Sequence, residues 1–168
     1  MSHATVELRG FEAAFFAWLA TAFRFSDPSL SSVPLTSGRH FFVNYMPEVG
    51  QIVKTSAQDA IVYNPATEPT IAAYTNAGPG IRTGVSRWIK HEASLNIILR
   101  VSGTFEKAKG LLEDLVREAL NQATGKRMGE FLCKAATLTQ RPTAFQRADD
   151  DRSFAQATVR FLYVALNQ

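Results

Sequence analysis

The side chains best able to do chemistry are few in this sequence and stand far apart. The nitrogen and sulfur donors are His3, His40, His91 and a single cysteine, Cys133. A zinc site needs such donors in closely spaced pairs, and none occurs. A nucleophilic thiol needs a neighbouring base or cation to hold it as thiolate. Cys133 instead follows apolar Leu132, the setting of a small buried hydrophobe. There is no G-x-S-x-G elbow for a serine nucleophile. Residues 123–127 (Ala-Thr-Gly-Lys-Arg) share only the end of a phosphate-binding loop: the first glycine of that motif falls where Leu120 stands. Such a loop also opens a helix, whereas this segment closes one. Residues 76–84 (NAGPGIRTG) place Gly78, Gly80 and Gly84 as G-x-G-x-x-x-G, which is not the dinucleotide fingerprint. Asp149, Asp150 and Asp151 are adjacent, so their carboxylates alternate in direction, and the every-second-residue pattern of a calcium loop is missing. The sequence therefore assigns no catalytic, cofactor-binding or metal-ligating residue and points away from an enzyme.

What remains is recognition. Loops held on a rigid scaffold carry contacts, and two polar segments qualify. One is the glycine-rich loop with Gly78, Pro79, Gly80 and Arg82. The other is the acidic turn with Asp149, Asp150, Asp151 and Arg152.

Composition narrows the classes. The 168 residues are 46% hydrophobic, 20% charged and 11% aromatic, with 18 basic against 15 acidic residues and a formal charge of +3. A chain of this length and apolar content builds one core without disulfides or metal. It is not disordered, collagenous or a disulfide scaffold. No run of about 18 uninterrupted apolar residues spans a membrane. The basic residues are scattered rather than gathered on one face, unlike those of most nucleic-acid binders.

The elements that would position these segments follow from periodicity. Leu8, Phe11, Phe15, Trp18, Leu19, Ala22 and Phe23 recur at three- and four-residue steps and predict a helix over 6–24. Glu7 and Glu12 interrupt the approach to its apolar run, which favours a packed helix over a signal peptide. Residues 26–38 hold two Pro, five Ser and one Gly and read as a loop. Short strands are expected at 40–46, 51–55, 60–63 and 70–75, followed by an irregular loop over 76–87. Leu95, Ile97, Leu99 and Val101 alternate with polar neighbours and predict a half-buried strand from Ser94, which Gly103 ends. A helix over 105–120 buries Leu111, Leu112, Leu115 and Val116, with Gly125 just past its end. A long hairpin closes the chain, with arms at 134–146 and 154–166 joined by 148–152. Its second arm turns Val159, Phe161 and Tyr163 to one face and Leu162, Val164 and Leu166 to the other, so the second face needs cover. Pro142 makes the first arm an edge strand or a bulge. The expected architecture is a single α+β domain over 1–168. A mixed or antiparallel sheet carries two main helices on one face and ends in a long C-terminal β-hairpin.

The segment SLNIILRVSGTFEKAKGLLEDLVREAL, followed by the hairpin RPTAFQRADDDRSFAQATVRFLYVAL, resembles the tail terminator and minor capsid (head–tail joining) proteins of tailed bacteriophages. The hairpin pattern carries most of the likeness: Pro142, Phe145, the charged turn from Asp149 to Arg152, then the alternation from Val159 to Tyr163. The resemblance covers about residues 94–166 and the leading helix, and the region 26–92 departs from it. It implies a structural protein of the virion tail or neck, assembled in the host cytoplasm. Copies of the chain would form a ring, usually hexameric, that caps the tail tube. The ring would contact the tail tube protein and a head-side connector or stopper protein, and DNA would pass through it without specific binding. It implies no cofactor and no membrane. The acidic turn would then face the lumen or the next ring, and Arg100, Arg141, Arg147, Arg152 and Arg160 would mostly pair across subunit contacts. Two other readings stay open at this level: another phage neck or head-completion protein, or an α+β domain holding a small molecule between helices and sheet.

Overall fold

The computed structural model describes residues 3–28, 30, 40–48, 52–54, 60–62, 68–75, 90–147 and 150–165. In chain order the elements are α1 (His3–Ala22), β1 (Phe41–Val43), β2 (Ile52–Lys54), β3 (Ala60–Val62), β4 (Thr70–Thr75), β5 (Lys90–Val101), α2 (Phe105–Ala123), β6 (Arg127–Met128), β7 (Phe131–Arg147) and β8 (Asp150–Ala165). Six strands form one sheet in the order β1-β4-β5-β8-β7-β6, and β2 pairs with β3 separately. β1 runs parallel to β4 and every other neighbouring pair is antiparallel, so the sheet is mixed. The fold is α+β, with both helices packed on the sheet.

Strand alternation decides which face the helices cover. Ala93, Leu95, Ile97, Leu99 and Val101 of β5 share a face with Ala155, Ala157, Val159, Phe161 and Tyr163 of β8, and all are buried. Against them α1 lays Phe11, Phe15 and Leu19, and α2 lays Leu111, Leu112, Leu115 and Val116. The aromatic contacts are close: Phe11 stacks on Tyr163 with ring centroids 4.0 Å apart, and Phe15 meets Phe161 at 4.8 Å. A smaller cluster of Phe42 and Ala72, with Met46 and Tyr74 against it, forms on the other face.

The helix ends are chemically closed. Arg24 Nη1 donates to the carbonyls of Ala20 and Phe23, each at 2.7 Å, which satisfies acceptors at the end of α1. Thr104 caps α2 by accepting from the Lys107 amide at 3.2 Å. Gly125 follows α2 at φ +80°, a conformation open to glycine at little cost. Ser26 Oγ donates to Asp114 Oδ2 at 2.6 Å and ties the segment after α1 to α2.

Several boundaries differ from the sequence expectation. The first helix begins at His3 and stops at Ala22. The strand expected over 40–46 is only Phe41–Val43, because Asn44 turns the backbone at φ +64°. β5 starts at Lys90 rather than Ser94, and α2 extends to Ala123. The largest correction concerns the hairpin. β7 runs to Arg147 and β8 begins at Asp150, with these two residues in register. Asp150, Asp151 and Arg152 are therefore strand residues and not part of a five-residue turn. Pairing of Asp150 with Arg147 of β7 carries the strand to this end and overrides the low strand preference of Asp. Most of the loop expected over 26–38, and the loop expected over 76–87, lie outside the described residues.

Candidate interface on the β7 edge

The segments that hinted at chemistry are occupied by structure. In the phosphate-loop look-alike, the Gly125 amide donates to the Cys133 carbonyl at 2.8 Å, and the Lys126 amide donates to the Ala123 carbonyl at 3.0 Å. Those donors close α2 onto β7 and do not point at an anion. Cys133 is fully buried, and burial pushes its thiol up to about 11, only partly offset by its contact with the Ala135 carbonyl. A thiol in that state is a packing residue. His40 is buried with its Nε2 2.7 Å from Glu68 Oε2, which ties the entry of β1 to the entry of β4. Among the described residues no group of His, Cys, Asp and Glu could hold a metal ion, and no helix is long and apolar enough to cross a membrane.

The interface candidates from the sequence divide. Gly78, Pro79, Gly80 and Arg82 lie outside the described residues, as does Asp149. Asp151 is exposed near the start of β8, and Arg152 beside it is half-buried. The last β5–β8 pair is Val101 with Ser153, so Asp150 to Arg152 project past the end of β5. The expectation that the arginines reach across subunits meets three residues engaged inside their own chain. Arg100 is buried and donates to the Pro47 carbonyl at 2.6 Å. Arg147 lies over the Phe154 ring, 5.7 Å from its centroid, where a guanidinium is attracted to the π face. Arg160 forms an ion pair with Glu92 on the neighbouring strand. Arg100 and Arg147 also bear on Tyr74: burial raises its phenol above the usual range, and the two guanidinium charges oppose that rise.

The feature that dominates the surface is β7 itself. It has 17 residues, and among the described residues only Phe131, Leu132 and Cys133 have backbone partners on the outer side, in β6 and the Gly125–Lys126 segment before it. None of the residues from Lys134 to Arg147 is buried. Pro142 sits where the pairing with β8 slips between Gln140 and Thr143, so the strand is both an edge and bulged, as a mid-arm proline requires. Further slips fall between Cys133 and Ala135, between Leu138 and Gln140, and between Phe145 and Arg147. Between the first two of these, Ala135, Ala136, Thr137 and Leu138 keep regular register with β8. That short stretch is a straight, uncharged template of backbone donors and acceptors, the kind of edge another strand can extend.

Sequence reasoning placed Pro142 and Arg141 on this strand but did not single the edge out as a site. The signal was present: FLCKAATLTQRPTAFQR contains three basic residues and no acidic one. On the face away from the helices, Val164 is buried and Leu162 half-buried, while Leu166 lies outside the described residues.

No protein-family model matches this chain, and no curated protein matches it in sequence.

Proposed function

We propose that this chain is a structural virion protein that works by assembly, a tail-terminator-like subunit forming a ring at the head-proximal end of a phage tail tube. The observation that carries the reading is the β7 edge. The strand is held by β8 on its inner side, and among the described residues none pairs with its outer side from Lys134 onward. Such an edge seeks a partner. The opposite edge of the sheet is β1, three residues long and uncharged. Two edges so unlike do not make a self-complementary pair, and contact between unlike surfaces gives head-to-tail association, which closes into a ring when the rotation permits. The likeness of the C-terminal half to tail terminators supplies the biological setting. In that setting the tail tube protein and a head-side connector are the partners, and DNA passes through without specific binding.

Negative-stain microscopy of the purified chain tests the reading. Closed rings of uniform diameter, or tubes capped at one end when tail tube protein is added, are expected. Monomers at every concentration, with no capping of tubes, would contradict it.

A further inference from the structure

We propose that the β7 edge accepts an extended, acidic peptide segment as an added strand. This rests on the assembly reading in taking the edge as a contact surface, and adds the chemistry of what docks there.

Backbone geometry provides the template. Ala135 to Leu138 hold regular register with β8, so their outward amides and carbonyls repeat at ordinary strand spacing. The slips on either side bound the straight run to a few residues, which suits one short strand and discourages open-ended sheet growth. Side chains along the run are small or uncharged, so an approaching backbone meets neither bulk nor a charge to desolvate.

Charge selects the partner. Lys134 and Arg141 flank the run, both exposed, and β7 carries no acidic residue over its whole length. The strand behind it adds no anion there. The β8 residues in register with Ala135 to Thr143 are Leu162, Phe161, Arg160, Val159, Thr158 and Gln156. The acids of the hairpin, Asp150 and Asp151, lie at its far end beside Arg147. A second copy of β7 is a poor occupant. Antiparallel pairing over the whole exposed edge sets Lys134 against Arg147 of the other copy at both ends, and like charges across strands repel. A nucleic-acid backbone is also a poor match. Lys134 and Arg141 are separated by six residues of β7, none of them a cation. Phosphate recognition instead relies on clustered cations. An acidic strand meets both requirements, pairing its backbone with the straight run and its carboxylates with the flanking cations.

Fluorescence anisotropy on the full chain tests this with three labelled probes. One is a peptide of about six residues alternating valine and glutamate, the second is its valine–lysine twin, and the third is an oligothymidylate. The glutamate peptide is expected to bind at least about 10-fold more tightly than the lysine twin. On binding, amide exchange should slow at Ala135 to Leu138. Arg141→Glu and Lys134→Glu, both at exposed positions, should keep the circular dichroism of the parent and each cut the preference at least about 3-fold. Equal binding of the two peptides, or binding of neither, overturns the inference and leaves the ring reading to microscopy. Tighter binding of the oligothymidylate than of the glutamate peptide overturns it in favour of a nucleic-acid surface. Rings that fail to form while the glutamate peptide still binds would sink the ring reading alone.

Discussion

Cys133 shows how one side chain ties packing to a measurable property. Its thiol is raised to about 11 because burial penalises the thiolate. It should therefore resist a disulfide reagent at about pH 8 in the native protein and react at once when urea unfolds the chain. Rapid reaction of the native protein would show that the site is open. The same shift sets the alkaline limit of stability. The folded chain keeps the proton that the unfolded chain releases, so the contribution is complete below the ordinary thiol range and is lost as pH rises through about 11. Tyr74 is shifted in the same direction by burial and adds to the loss. The urea midpoint should fall between about pH 8 and pH 10.5; a flat or rising midpoint would contradict the burial of these groups. Residue-level legibility was uneven. Cys133 was readable as core from its apolar neighbour. Arg100 was not, because strand alternation puts it on the polar face. Its burial comes with the carbonyl of Pro47, more than fifty residues earlier in the chain, reaching its guanidinium.

Among the elements, α2 was the most legible, because its apolar residues repeat at helical spacing and its ends carry Thr104 and Gly125. All four residues expected to face the sheet do so: Leu111, Leu112, Leu115 and Val116 are buried in the main core. Leu115→Ala should cost about 2–5 kcal/mol, since the cavity it leaves lies between a helix and a sheet that cannot fully collapse. Denaturant titration checks this, and a loss below about 0.5 kcal/mol would mean that the face is not packed. The hairpin was legible in kind but not in its details. Alternation from Val159 to Tyr163 announces a strand, and Pro142 announces an edge. Three consecutive aspartates read as a turn because Asp favours turns. The structure begins β8 at the second of them, since Arg147 stands in register with Asp150 and the strand pairing continues to that point.

At the scale of the whole molecule, the layering follows from the order of elements: a leading helix, short strands, a strand–helix step and a hairpin. Strand order does not, because it depends on long-range pairing. β8, last in sequence, lies between β5 and β7 inside the sheet, and β1 adds in parallel beyond β4. Among the described residues, that order leaves β7 outermost from Lys134 onward, with β6 and the Gly125–Lys126 segment beside its first residues. It therefore determines which surface is available for assembly. The account's central claim is that this edge is where the molecule meets its partners. Amide hydrogen exchange across Lys134 to Arg147 tests it most directly, with dilute chain compared against the assembled fraction. Edge amides that face water exchange quickly, and those that join a new ladder are protected. The account predicts at least about 10-fold slower exchange at Ala135 to Leu138 on assembly, with Leu95 to Val101 unchanged. Identical exchange along β7 in the two states, or no assembled fraction at any concentration, would contradict it.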